Sequence, residues 1–154
     1  MKKIWGFLLV VIIATAGCGK EKDCPPVTIA APANEVANLK AYLDANNITA
    51  TADSRGFFYT ITNAGSNEKP TVCKNITVSY VGKLTNGQTF DSNPNATFSL
   101  SGVILGWQEG IPLIGTGGSI VLYVPPSLAY GSAGYLSIPG NANLIFTVGL
   151  KGIQ

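Results

Sequence analysis

The chain has 154 residues, of which 46% are hydrophobic and 12% are charged, and it contains no histidine. This length and composition are typical of one globular domain with a single core. The formal net charge of +2 comes from Lys2 and Lys3, and without them basic and acidic side chains are equal in number. That balance argues against a nucleic-acid partner.

Residues 1–17 are predicted to be an export signal. The positive pair Lys2-Lys3 precedes an apolar run over 4–16 that is too short to span a bilayer comfortably. The run ends in Thr15-Ala16-Gly17-Cys18, which is similar to a bacterial lipobox, although Thr15 stands where leucine is usual. We therefore expect cleavage before Cys18 and lipid on that cysteine. A plain secretory signal or an uncleaved anchor is the alternative, and both also place the domain outside the cytoplasm.

Two further features follow from a lipidated Cys18. Gly19 stands where an aspartate would retain a lipoprotein at the inner membrane. The expected location is therefore the outer membrane of a bacterial envelope, on its periplasmic side or at the cell surface. Cys24 and Cys73 remain as an even pair in an oxidising compartment.

A disulfide between Cys24 and Cys73 would close a loop of about 50 residues and stabilise the fold by roughly 4 kcal/mol through loop-closure entropy. Two unpaired thiols are the alternative. Two cysteines without a histidine do not supply the usual four ligands of zinc, so we expect no metal site and no cofactor.

The segment before the main domain is predicted to be a tether followed by a helix. Residues 18–33 are polar and then rich in proline and alanine, which is typical of a tether. Residues 34–52 are predicted to be a helical extension, with Asn34 as a possible N-cap and Asn46-Asn47 as the stop. Apolar residues recur there at helical spacing, at Val36, Leu39, Tyr42 and Leu43. We expect this helix to pack on the main domain or on a second copy of the chain, and contact with substrate is the alternative.

Residues 53–154 are predicted to form a strand-rich α+β domain of about five antiparallel strands. The predicted strands cover residues 57–62, 72–84, 97–100, 119–124 and 143–151. Apolar and polar residues alternate in 72–84, which is typical of an antiparallel strand with one buried face. Asn86-Gly87 favours a tight hairpin that returns the chain at Phe90, and residues 92–96 are expected to be a short loop.

The domain is predicted to contain one short helix, over residues 107–114. Gly110 and Pro112 would make it a poor free helix, so packing against the sheet must hold it. Residues 125–140 follow the fourth predicted strand as a long connection that carries Tyr130, Tyr135 and Ile138.

Several separate motifs, in a fixed order, carry large aromatic residues beside one acid, Asp91. They are VSYVGKL (78–84), GQTFDS (87–92), VILGWQEG (103–110), VPPSLAYG (124–131), IP (138–139) and LIFTVGL (144–150). Together they resemble the FK506-binding-protein (FKBP) family of peptidyl-prolyl isomerases, from about Gly56 to the C-terminus. The resemblance implies an FKBP-like antiparallel half-barrel sheet wrapped around one short helix, with a pocket between them.

The resemblance also implies roles for individual residues. Trp107 would be the floor beneath a substrate proline, and Asp91 would lie beside the reacting amide. The Tyr130 hydroxyl and the Ile138 backbone N–H would each bind a substrate carbonyl. The pocket walls would be Tyr80, Phe90, Val103, Ile104 and Phe146, with Phe98 as a further substrate-binding residue. The alternative is that these rings only pack in the core and that Asp91 caps a turn.

Two departures from the family pattern bear on these roles. The loop after Asp91 is shortened to Asn93-Pro94-Asn95-Ala96, and no arginine is placed to pair with Asp91. The loop between Tyr130 and Ile138 is one residue shorter, and it holds Tyr135 near a position often occupied by histidine. These changes bear on catalytic efficiency and drug affinity more than on the fold.

The resemblance therefore predicts a peptidyl-prolyl cis-trans isomerase, a rotamase that assists protein folding. Rotation about an Xaa-Pro bond needs neither a nucleophile nor a metal, so a chain without histidine can catalyse it. The expected partners are proline-containing unfolded or nascent envelope proteins, the membrane through a lipid anchor, and macrolide inhibitors. The alternatives are a non-catalytic proline-binding module or holdase chaperone, and a surface adhesion or structural lipoprotein with the same fold.

Overall fold

The structure is a computed structural model that describes residues 27–154. The predicted signal peptide, the predicted lipidation site Cys18 and the cysteine Cys24 lie outside the described residues. Cys73 is disulfide-bonded, and its predicted pairing with Cys24 stays a prediction. In residues 27–154, no helix is both long and apolar enough to cross a membrane.

In the described residues, six antiparallel strands form one sheet. In chain order they are β1 (Thr51–Ala52), β2 (Phe58–Asn63), β3 (Asn75–Leu84), β4 (Thr89–Ser99), β5 (Ser119–Val124) and β6 (Leu144–Ile153). Their order across the sheet is β1-β2-β5-β6-β3-β4, and every neighbouring pair is antiparallel. The long strands β3 and β6 are therefore both interior strands, and β4 forms one edge.

Two α-helices of the segment 27–154 cover opposite faces of this sheet. They are α1 (Ala33–Ala45) and α2 (Leu105–Gly110), and a 3₁₀ turn, Ile111–Leu113, continues α2. Because side chains alternate along a strand, Leu122 of β5 packs in the main core with α2, whereas Tyr123 packs in a second cluster with Leu39 and Leu43 of α1. The helical extension thus packs on the main domain, which was one of the two predicted arrangements.

The alternation of buried and exposed side chains along β6 was predicted correctly, and the buried face of this strand contributes much of the core. Four apolar side chains on one face of β6 are at most 3% exposed: Leu144, Phe146, Val148 and Leu150. Two glycines of α2 let the helix approach the sheet closely. A Cβ on Gly106 would lie 2.5 Å from Val124 Cγ1, and one on Gly110 would lie 2.5 Å from Leu122 Cδ2. The helix α2 was predicted to need packing against the sheet, and it can pack this closely because residues 106 and 110 have no side chain.

The predicted loop over residues 92–96 is wrong, because β4 runs through it. Val78 pairs with Ala96 and Tyr80 pairs with Asn93, so β4 holds one extra residue opposite Ser79. This bulge tolerates Pro94 because β4 is an edge strand. The Asn93 side chain accepts the Asn95 N–H at 2.8 Å.

The ends of several predicted elements also differ. The helix α1 begins at Ala33, and the Pro32 carbonyl accepts its first hydrogen bonds, so the predicted cap at Asn34 is wrong. The strand β3 begins at Asn75 because residues 71–74 close a turn in which the Lys74 N–H donates to the Thr71 carbonyl. The helix α2 begins two residues before its predicted start, and the two-residue strand β1 was not predicted.

Candidate active site

A cavity of about 330 Å³ lies between the sheet and α2. Nearly all of the predicted site residues line it. They are Tyr80, Phe90, Asp91, Phe98, Val103, Ile104, Trp107, Tyr130 and Phe146, joined by Gly102 and Tyr135. Ile138 lies outside this cavity. The structure therefore brings together residues of β3, β4, α2, β6 and two loops.

Trp107 lies at the base of this cavity and is framed by three other rings. It is 4% exposed. The rings of Tyr80, Phe98 and Phe146 stand nearly perpendicular to the indole, with centroids 5.2, 5.9 and 5.4 Å from it. Edge-to-face contacts of this kind fix ring orientations in a core. The indole thus forms an apolar base for three rings that stand nearly upright on it, and its predicted role as the floor beneath a substrate proline stays a prediction.

A glycine makes room for the wall formed by Phe90. Gly82 of β3 pairs with Asp91 on one side and with Phe146 on the other. A Cβ on Gly82 would lie 2.6 Å from Phe90 Cζ, and the Phe90 and Phe146 rings meet edge to face at 5.6 Å. The wall at this point is built from two strands across the gap that the glycine leaves.

Asp91 lies at the polar end of the cavity and is hydrogen-bonded to Tyr80. The Tyr80 hydroxyl donates to Asp91 Oδ2 at 2.6 Å. Burial, and secondly this hydrogen bond, raise the pKa of Tyr80 to about 12, so its hydroxyl keeps its proton at neutral pH. Asp91 thus contacts a side chain of the site, and its predicted place beside the reacting amide stays a prediction.

Tyr130 offers a hydroxyl on the other side of the same cavity. Burial, and then the negative charge of Asp91, raise the pKa of Tyr130. The phenol therefore stays a hydrogen-bond donor at neutral pH, which is compatible with its predicted role.

A second cavity of about 320 Å³ adjoins the first and shares residues with it. Its lining comprises Phe90, Asp91, Tyr130, Tyr135, Leu136, Ser137 and Ile138. Tyr135 was not among the predicted site residues. Its ring stacks on that of Tyr130, with centroids 5.3 Å apart and an interplanar angle of 12°. No periodicity marks this residue, since it lies in a loop. Its closeness in sequence to Tyr130, and its place near a family position often occupied by histidine, were the signals that could have indicated it.

The predicted donor at Ile138 is already used. Its backbone N–H donates to the Tyr135 carbonyl at 2.8 Å, and the Tyr135 N–H donates back to the Ile138 carbonyl at 2.9 Å. A substrate carbonyl would have to share or replace the first of these bonds. Ile138 itself is 6% exposed and lines only the second cavity.

The described part of the chain has two further depressions. One of about 390 Å³ follows β3 to β6 and contains, of the predicted residues, only Tyr80. Another of about 230 Å³ lies beside Arg55 and Glu109. Neither combines aromatic rings with an acid in the way that the cavity above Trp107 does.

The cavity above Trp107 can hold a small apolar ring together with the two polar groups attached to it. Its floor and walls are aromatic or aliphatic, and its polar groups are the Asp91 carboxylate and the hydroxyls of three tyrosines, Tyr80, Tyr130 and Tyr135. None of these is an activated nucleophile or an imidazole base. The site therefore fits a reaction that depends on desolvation and orientation.

The sequence and the fold are similar to those of known proteins. Residues 66–151 match the family described as FKBP-type peptidyl-prolyl cis-trans isomerase, which is more than half of the chain. The FKBP-type peptidyl-prolyl cis-trans isomerase FkpA of Escherichia coli K12 is 41% identical over 105 residues, which are 66% of this chain and 39% of that protein. The peptidyl-prolyl cis-trans isomerase Mip of Coxiella burnetii is 41% identical over 106 residues, 66% of this chain and 46% of that protein.

A solved structure shows the same arrangement. The crystal structure of FkpA from Escherichia coli matches with a TM-score of 0.72 at 37% identity, over 79% of this chain and 60% of that chain. The present chain spans less than half the length of the two curated relatives named above. The matched sequence, the six-stranded sheet around α2 and the aromatic cavity agree with one another. The chain therefore belongs to the FKBP-type peptidyl-prolyl cis-trans isomerase family.

Proposed function

We propose that this protein catalyses cis-trans isomerisation of Xaa-Pro peptide bonds. The observation that carries the proposal is the buried Trp107 indole with three perpendicular rings above it, beside the Tyr80–Asp91 pair. A proline ring is small, apolar and rigid, and it fits such a floor. Membership of a family named for this activity supports the assignment.

The proposed mechanism uses desolvation. The barrier to rotation is roughly 18–20 kcal/mol because the planar amide is stabilised by resonance. In the twisted transition state this resonance is lost and the carbonyl oxygen is less polar, so transfer into an apolar cavity costs less free energy. The cavity then binds the twisted form more tightly than the planar form, which accelerates rotation.

The polar groups have separate proposed roles. The Tyr130 hydroxyl binds a substrate carbonyl near the reacting bond. Asp91 lies beside the amide and holds the Tyr80 hydroxyl, so that the wall ring and the acid keep one arrangement. No step requires proton transfer to substrate, and the chain's lack of histidine is compatible with this mechanism.

We further propose that the protein acts in the bacterial envelope, anchored by lipid at Cys18. The support is the order of a positive pair, a short apolar run and a lipobox-like end within residues 1–18. Its substrates would then be unfolded or nascent envelope proteins, and macrolides would compete for the cavity. Growth with a labelled fatty acid tests the anchor. Label should enter the parent and be absent from Cys18→Ser, and label retained in Cys18→Ser would contradict it.

Refolding of a protein limited by a slow proline step tests the isomerase. The parent should accelerate the slow phase in catalytic amounts, whereas a Trp107→Ala, Asp91→Ala double variant should not. The rival function is a holdase that binds unfolded chains without turnover. A holdase would suppress aggregation equally well in the parent and the double variant, and it would leave the slow phase unchanged in both.

A further inference from the structure

Glu35 of α1 contacts the segment that carries Tyr130. Its carboxylate Oε2 accepts a hydrogen bond from the backbone N–H of Ser127 at 2.8 Å, between residues 92 positions apart in sequence. The bond is partly buried, and its acceptor is a carboxylate, so it belongs to the stronger class of protein hydrogen bonds. No role in the site was predicted for Glu35.

The Pro126–Ser127 peptide group connects this contact to Tyr130. While its N–H donates to Glu35, its carbonyl accepts the N–H of Ala129 at 2.9 Å and that of Gly131 at 2.8 Å. These two residues flank Tyr130. Because a peptide group is planar, the orientation of the N–H also sets that of the carbonyl. A bond that fixes the N–H therefore fixes the acceptor for both neighbours of Tyr130.

Regular secondary structure does not hold this segment. The 3₁₀ turn Pro126–Leu128 ends before Tyr130, and Ala129 has φ −130° and ψ −110°. Gly131 has a φ of +62°, which is left-handed. Proline has no N–H, so after Pro125 and Pro126 the first donor available at the start of the turn is that of Ser127. Glu35 caps that donor from another element.

The helix that carries Glu35 is itself firmly held. Leu39 and Leu43 are 0% and 2% exposed and pack on Phe58 and Tyr123. Tyr123 belongs to β5, which ends at Val124 immediately before the turn. The carboxylate is therefore presented by a rigid element next to the segment that it caps.

We propose that Glu35 is a positioning residue that holds Tyr130 at the cavity by fixing the Pro126–Ser127 peptide group. For its effect on turnover the inference rests on the proposed isomerase function. Its structural part does not, because the orientation of the Tyr130 segment can be observed without substrate.

Three variants of α1 test the inference in the full-length protein. Glu35→Ala removes the acceptor, Glu35→Gln keeps an amide oxygen in its place, and Asp44→Ala is the matched control. Asp44 is an acid of the same helix whose carboxylate, within residues 27–154, forms its hydrogen bonds and ion pair with Lys40 at the exposed surface. With activity normalised to folded protein, we expect Glu35→Ala to lower kcat/KM about three- to tenfold, as loss of one hydrogen bond implies. Glu35→Gln should restore most of it, and Asp44→Ala should match the parent.

Two readouts separate positioning from stability. Glu35→Ala should shift the amide ¹⁵N resonances of Ala129 and Gly131, and Glu35→Gln should return them towards the parent. In a double-mutant cycle, Glu35→Ala should cost little further activity in a Tyr130→Phe background, since the hydroxyl that it positions is already gone. The proposal would be overturned if the activity losses of Glu35→Ala and Tyr130→Phe added fully in the double variant. It would also be overturned if Glu35→Ala left the amide resonances of Ala129 and Gly131 unchanged. A parent without isomerase activity would instead refute the proposed function, and the resonances alone would then decide whether Glu35 holds the segment.

Discussion

The Tyr80 hydroxyl donates to Asp91 Oδ2 at 2.6 Å, and the Tyr80 ring meets the Trp107 indole edge to face at 5.2 Å. One side chain therefore links the acid of the site to its floor. Its ring and its hydroxyl have different partners, so their contributions can be separated by substitution.

Tyr80→Phe keeps the ring and removes the donor to Asp91. We expect kcat/KM for a prolyl peptide to fall about two- to tenfold, because a neutral-to-charged hydrogen bond is lost while the wall remains. Tyr80→Ala should cost much more, since the ring that stands on Trp107 also goes. Equal losses in the two variants, measured by a coupled isomerisation assay, would mean that the bond to Asp91 is the only contribution of Tyr80.

Gly82→Ala should impair the cavity although residue 82 is not part of its lining. The new methyl group would lie 2.6 Å from Phe90 Cζ and 3.1 Å from Phe146 Cε1, so the wall rings must shift. We expect activity per folded molecule to fall several-fold, and displaced ring resonances of Phe90 in NMR spectra. Gly152→Ala is the control, because nothing lies within 4 Å of its Cβ. Unchanged activity in Gly82→Ala would show that the wall adapts without loss of function.

Gly110→Ala separates helix propensity from packing. Propensity alone would stabilise α2 by about 1 kcal/mol. The added Cβ would, however, lie 2.5 Å from the fully buried Leu122, and overpacking of a core costs about 1–3 kcal/mol. We therefore expect a net loss of unfolding free energy in urea denaturation. Gly102→Ala, whose nearest neighbour atom would lie 4.0 Å away, should not show this loss. A stabilised Gly110→Ala would mean that α2 does not press on β5 as described.

Glu109 is expected to make the stability of the fold depend on pH. Its side chain is 0% exposed, and its carboxylate oxygens accept no hydrogen bond from any residue in 27–154. Burial raises the pKa of Glu109 from 4.5 to about 7, against the opposing effect of Arg55, whose Nε lies 4.0 Å from Glu109 Oε2. Between these two values the folded state binds a proton that the unfolded state has lost, so stability must fall as pH rises through the window.

The resulting loss of unfolding free energy should reach up to about 3 kcal/mol above pH 7. Glu109→Gln should flatten the dependence of unfolding free energy on pH between 4.5 and 7. Asp53 should affect stability in the opposite direction, because its hydrogen bond from the Arg55 side chain lowers its pKa. This effect on the unfolding free energy lies below pH 3.8, outside the window of Glu109. A parent whose unfolding free energy is constant from pH 4.5 to 7 would contradict the assignment to Glu109.

Sequence patterns predicted those parts of the fold that are set by alternation and by strong turns. The buried face of β6, the hairpin at Asn86-Gly87 and the strand 119–124 follow from such local signals. The loop predicted over 92–96 was wrong, because Pro94 breaks a central strand but is tolerated at a bulged edge. Local sequence cannot show which strand will be the edge.

Most residues that line the cavity above Trp107 were predicted as a set, because they stand in motifs with a fixed order. Tyr135 and Glu35 were missed for a different reason. Tyr135 enters the cavity through a loop, and Glu35 reaches Ser127 across 92 positions, so both contacts depend on tertiary packing. The role of Gly82 also depends on tertiary packing, since this residue leaves space for the Phe90 ring.

The most direct test of the central claim is exchange NMR on an apolar-Xaa-Pro peptide with the parent protein and its Trp107→Ala variant. If the cavity above Trp107 twists the bound imide, the parent should accelerate cis-trans exchange at substoichiometric concentration. The Trp107→Ala variant, shown to be folded, should give little acceleration. A well-folded parent that binds the peptide but leaves its exchange rate unchanged would contradict the isomerase function and favour a proline-binding module.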